Sequence, residues 1–138
     1  MQDSKKCNDK VIDASAMLAI FMGQNSARNI LTIFEEALEN NDNVFLSVIH
    51  WGEILYVVER KLGILGRNEA EQTMSKMHLT IVDADQTLTR EAARIKVAKK
   101  LPYADCFAAA LCLLKNATLI TGDNDFRKIQ DKIKIIWV

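Results

Sequence analysis

Branched and aliphatic residues come in short blocks along this chain, and between the blocks they recur every three or four positions. The blocks "KVIDA" (10–14), "NVFLSVI" (43–49), "LTIV" (79–82), "ATLIT" (117–121) and "IKIIWV" (133–138) predict five strands. Helical spacing joins Ile30, Ile33, Phe34, Ala37 and Leu38, then Trp51, Ile54, Leu55 and Val58, then Leu88, Ala92 and Ile95. A further helix is predicted over "PYADCFAAALCLLKN", with Pro102 at its first position and an alanine-rich body suited to close packing. Residues 59–78 carry little strand signal and read as a helical excursion, with helix-formers after Gly66. Strands that alternate with helices and are themselves nearly continuous apolar runs predict α/β architecture, a central parallel sheet covered by helices on both faces.

The 138 residues suit one domain spanning 1–138, with no repeat, linker or low-complexity tract to divide it. An apolar content of 49% with 26% charged residues is that of a globular chain and excludes disorder. Eighteen basic and eighteen acidic side chains cancel, so no overall field draws the protein to nucleic acid or anionic lipid. A phosphate-rich partner would need a local patch, and the candidates are Arg94, Lys96, Lys99 and Lys100, or Arg127, Lys128, Lys132 and Lys134. Such clusters are more often solvated faces.

Cys7, Cys106 and Cys112 are odd in number and lack CxxC spacing, which reads as reduced thiols in a cytoplasmic protein. The lysine-bearing start leads into "VIDASAMLAIFMG" like a secretory signal, but Asp13 would oppose insertion of that run. No other apolar run approaches the length that crosses a bilayer, so no membrane partner is expected.

Chemistry enters with the acidic residues. Asp13 ends the first predicted strand, Glu53 follows the second in the first turn of a helix, Asp105 lies in the first turn of the Pro102 helix, and Asp123 follows the fourth strand in "TLITGDNDF". In an open parallel sheet, segments leaving the carboxyl ends of strands gather on one edge, where ligands bind. The plainer explanation is helix capping, since Asp and Glu are favoured at helix starts in any soluble protein. Capping accounts for each residue singly and less well for four. Two carboxylates about 4 Å apart repel by roughly 4 kcal/mol at an effective dielectric near 20, so a shared pocket must take up protons or a cation. Oxygen ligands without a His or Cys cluster point to Mg²⁺ or Mn²⁺, which suits phosphoryl chemistry with water as nucleophile. His50 and His78 have no metal-like spacing and read as structural or exposed, and Trp51 and Tyr103 as packing residues.

At these residues the chain resembles the PIN-domain ribonucleases, and among them the VapC-type toxins of toxin–antitoxin pairs. The matching pieces are "VIDASAMLAIF", "SVIHWGEILYVV", "LPYADCFAAALCLLKNATLITGD" and the "NDF" that follows, in family order over nearly the whole chain. The resemblance implies a PIN-like fold, with Asp13, Glu53, Asp105 and Asp123 as catalytic carboxylates and Asp13, Asp105 and Asp123 nearest a Mg²⁺ or Mn²⁺ ion. It makes Ser15 and Thr121 the accompanying hydroxyls and Asp125 an extra acidic position. It also implies an endoribonuclease cleaving RNA by activated water, a cognate antitoxin and a homodimer. Lys99 and Lys100 are the residues expected to hold the RNA backbone. A catalytically silent PIN scaffold that binds RNA or protein is the alternative. Aspartyl phosphotransfer fits poorly, because Ser15 stands two places after Asp13 where haloacid-dehalogenase-type phosphatases carry a second aspartate.

Overall fold

A computed structural model describes residues 8–138, so Cys7 and the first residues of the signal-like start lie outside it. Five strands, β1 (Lys10–Ile12), β2 (Val44–Ser47), β3 (Thr80–Val82), β4 (Thr118–Thr121) and β5 (Ile135–Trp137), form one sheet in the order β3-β2-β1-β4-β5. Every pairing is parallel, with Val11 opposite Phe45 and Leu119, and Ile12 opposite Ile120. The helices are α1 (Ala14–Phe21), α2 (Ala27–Asn40), α3 (Val48–Lys76), α4 (Gln86–Lys99) and α5 (Tyr103–Lys115), followed by a 3₁₀ helix at Asn124–Ile129.

Successive strand side chains face opposite ways, and this sorts the core into two halves. Ile12, Val44, Leu46 and Ile120 pack with residues of α1, α2 and α3. Val11, Phe45 and Leu119 pack on the other face with α4, α5 and the 3₁₀ helix. The division follows from the strand order. Right-handed crossovers that step from β1 to β2 to β3 lie on one face, and the return from β3 across to β4 must lie on the other. The direction of travel therefore reverses between β1 and β4, where open parallel sheets leave a crevice beyond their carboxyl ends.

All five predicted strands are present, each shorter than its apolar block. Val48 and Ile49 belong to α3 rather than β2, because the Ser47 hydroxyl accepts from the Ile49 N–H and starts the helix there. Glu53 consequently lies in the second turn of α3, not the first. Pro102 is the N-cap of α5, with the helix beginning at Tyr103. Leu38, assigned to the buried face of α2, is 62% exposed, whereas Ile30, Phe34 and Ala37 are buried.

Residues 59–76 are helical, as expected for most of the 59–78 excursion, and the helix is interrupted at Gly63. Gly63 has φ 77° and ψ −179°, a conformation open essentially to glycine alone. Gly63→Ala is expected to lower stability by about 1 kcal/mol through that strain. A urea melt checks it, and an unchanged midpoint would mean the bend straightens without penalty.

α5 is buried from Asp105 through Cys112, since it lies between α4 and the sheet, and its alanines permit the close approach. Cys106 and Cys112 are core residues here, and burial pushes both thiols above their ordinary value. No helix among the described residues is long and apolar enough to cross a membrane.

Candidate active site

Asp13 follows β1 directly and caps α1, accepting from the Ala16 N–H at 2.9 Å. Its carboxylate is 1% exposed and meets further donors: the Ser15 hydroxyl lies 2.9 Å from each oxygen, and Thr121 Oγ1 donates to Oδ2 at 2.5 Å. Thr121 sits on β4 one step past the Ile12–Ile120 pair, so sheet register delivers its hydroxyl to Asp13. Burial raises the Asp13 carboxyl above its ordinary 3.8, while the hydrogen bonds from Thr121 and Ala16, the field of His50 and the Ser15 hydroxyl draw it back down.

Thr121 Oγ1 also accepts from the Asp123 N–H at 2.9 Å, and Ser15 Oγ accepts from the Gly122 N–H at 3.3 Å. The two hydroxyls thus bind the end of β1 to the loop that follows β4. Asp123 caps the 3₁₀ helix, its Oδ1 accepting from the Asp125 N–H at 2.9 Å. Capping is therefore a real role of Asp13 and Asp123, and it aims both carboxylates over the sheet edge.

Asp105 differs. It lies in the first turn of α5 without capping it, and its Oδ1 stands 3.0 Å from His50 Nε2. His50 is 1% exposed, and its Nε2 also lies 3.9 Å from Oε1 of Glu53, whose side chain is 33% exposed. Sequence reasoning missed this histidine as part of the site. The available signal was spacing, because His50 precedes Ile54 and Val58 by four and eight residues and shares their buried stripe.

Carboxylate oxygens of Asp105, Asp123 and Asp125 lie within 4.8 Å of one another. Asp13 and Glu53 stand outside that group, so the trio differs from the expected Asp13, Asp105 and Asp123 by having Asp125 in place of Asp13. Asp13 instead has both oxygens held by donors. At 4.8 Å each carboxylate pair repels by about 3 kcal/mol at an effective dielectric near 20. An all-oxygen donor set under that repulsion fits a hard divalent cation such as Mg²⁺ or Mn²⁺.

Of the expected RNA contacts, Lys99 is paired with Asp131, its Nζ 3.0 and 2.9 Å from the two oxygens, and this bond holds the Asp131 carboxyl below the usual range. Lys100 turns the chain from α4 toward α5 with φ 57°, and its carbonyl accepts from Lys128 Nζ at 3.5 Å. That same Nζ is 3.9 Å from Asp125 Oδ1, which brings Lys128, alone of the C-terminal basic set, to the rim of the trio. Arg127 instead lies over the Trp137 ring at 4.5 Å. Tyr103 packs edge-on against Phe107, with centroids 5.1 Å apart, and half of it remains exposed.

Residues 10–132 match the sequence model of the PIN domain. The chain belongs to the PIN-domain family. No curated protein matches its sequence. Structural likeness runs to VapC toxins of VapBC systems. The DNA-bound VapBC of Salmonella typhimurium superposes with a TM-score of 0.74 at 18% identity, over 94% of this chain and 97% of that one. VapBC2 of Rickettsia felis, bound to a DNA fragment from its promoter, gives 0.71 at 19% identity over 92% and 96%. VapC20 of Mycobacterium tuberculosis, a sarcin–ricin loop cleaving toxin, gives 0.67 at 17% identity over 86% and 93%. At such identities the likeness is one of fold, and this PIN domain carries the acidic cluster on its own residues.

Proposed function

We propose that this PIN domain is a Mg²⁺- or Mn²⁺-dependent endoribonuclease and the toxin of a toxin–antitoxin pair. The observation that carries the reading is the approach of Asp105, Asp123 and Asp125 within 4.8 Å beside the buried Asp13. When bound, the cation polarises a phosphate oxygen and lowers the pKa of water. Asp105, Asp123 and Asp125 hold it. Asp13 fixes the geometry from beneath, through the Ser15 and Thr121 hydroxyls that join it to the Asp123 loop. Glu53, one-third exposed, accepts the proton of the attacking water and orients it. Lys100 and Lys128 at the rim meet the RNA phosphates, with Lys99 joining them if Asp131 releases it.

An antitoxin that covers this acidic edge, and a second copy of the chain, are the expected partners. The toxin–antitoxin structures among its fold neighbours support the antitoxin half of that expectation.

Purified protein is expected to cut single-stranded or looped RNA in Mg²⁺ or Mn²⁺ and to stop in EDTA, leaving 5′-phosphate ends. Calorimetric titration separates this from a silent scaffold: no divalent-ion uptake at millimolar concentration, with no cleavage, would favour the scaffold.

A further inference from the structure

Of Asp13, Asp105 and Asp123, Asp105 is the one whose carboxylate accepts no backbone N–H from its own helix. Asp13 and Asp123 each cap the helix that follows them, whereas the hydrogen bond the Asp105 side chain makes among the described residues is the one to His50. We infer that His50 is a positioning residue of this site, holding Asp105 in the orientation that receives the cation. The inference rests on the reading of the acidic trio as a metal site and adds a residue to it.

His50 is 1% exposed on the stripe it shares with Ile54 and Val58, and its Nδ1 is buried with no hydrogen-bond partner among the described residues. An unmet buried polar atom costs about 1–3 kcal/mol. An apolar side chain would pack on that stripe without the cost, so stability alone is served poorly by histidine here. The compensating feature is the other nitrogen. A carboxylate can only accept, so Nε2 carries the hydrogen in the 3.0 Å bond to Asp105 Oδ1.

The bond also joins helices whose bodies pack on opposite faces of the sheet. α3 packs with the core half that contains Ile12 and Ile120, while α5 packs with the half that contains Val11 and Leu119. Over the carboxyl edge their first turns meet through His50 and Asp105. Asp105 must approach Asp123 and Asp125 against their repulsion, and a directional donor on a separate helix fixes the carboxylate against rotating away. Glu53, three residues further along α3, stands 3.9 Å from the same Nε2, beyond hydrogen-bond reach, so Asp105 alone takes its hydrogen.

The test uses His50→Leu, which keeps bulk and removes the donor, with His50→Gln and His50→Asn as a pair. The glutamine amide nitrogen reaches about as far as imidazole Nε2, and that of asparagine stops one carbon short. Metal-free proteins, checked for folding by circular dichroism, are titrated with MnCl₂ by calorimetry, and kcat and KM for a model RNA are measured separately. Leu and Asn variants are expected to bind Mn²⁺ about tenfold more weakly, with Gln within about threefold of wild type, in keeping with outer partners of metal ligands. The loss in cleavage is expected in kcat, with KM for RNA unchanged. Should His50→Leu fail to fold, the Gln and Asn pair decides, since both are polar and differ in reach. Equal Mn²⁺ affinity in wild type and all folded variants would overturn the role of His50 and leave the metal site standing. A wild type that takes up no Mn²⁺ would overturn both.

Discussion

Asp105→Asn is expected to cripple RNA cleavage while leaving the metal-free protein as stable as wild type. The expected fall in rate is about three decades. One unit of carboxylate charge beside a cation at about 4 Å is worth roughly 4 kcal/mol at an effective dielectric near 20, and each 1.36 kcal/mol is about tenfold. The stability half of the expectation comes from the same electrostatics. Asparagine retains an oxygen for the His50 Nε2–H, and it removes a charge that Asp123 and Asp125 repel. Loss of activity together with loss of fold would contradict this account, and so would a variant that cuts RNA at the wild-type rate. Parallel purification of both proteins controls for contaminating nucleases.

The second large effect is on stability and has a pH signature. Thr121→Val keeps the shape of a fully buried side chain but removes the oxygen that donates to Asp13 and accepts from the Asp123 N–H. Leaving a buried carboxylate oxygen and a backbone donor without this partner is expected to cost about 2 kcal/mol, or about 8 °C in Tm. Burial already holds Asp13 above 3.8, so the folded state binds that proton more tightly than the unfolded chain. Stability from this group therefore declines as pH climbs from 3.8 through the folded value. Without Thr121 the folded value rises further, because a hydrogen bond that lowered it is gone. The deficit of Thr121→Val must widen between acid and neutral pH when measured in EDTA. A deficit of constant size would show that the hydroxyl does not interact with the charged form.

Most of the fold was legible because both kinds of element wrote their period into the chain. The strand blocks at residues 10–14 and 117–121 are apolar on both faces, as a doubly covered sheet requires, and Leu88, Ala92 and Ile95 are buried along one stripe of α4. Boundaries were less legible. Val48 and Ile49 are strand-formers by composition, yet the Ser47 cap turns them into a helix start, a local hydrogen bond that overrides propensity. The gathering of acidic residues beyond the strands followed from the layout. Its detailed membership did not, because which carboxylates approach one another is set by contacts between segments distant in the chain. His50 was hidden for a related reason. Its nearest chemical partner is 55 residues away on another helix, and nothing in its own segment marks it except a place on an apolar stripe.

The strand order carries a consequence for biosynthesis. β4 enters the sheet beside β1, although more than a hundred residues of chain are made between them. Until the ribosome has delivered Thr121, the nascent chain has Asp13 without its deepest donor and lacks Asp123 and Asp125 altogether. A chain emerging at about 5–20 residues per second spends several seconds in this state. Throughout that interval the acidic trio cannot assemble, so the site is complete only when translation of the domain is nearly done.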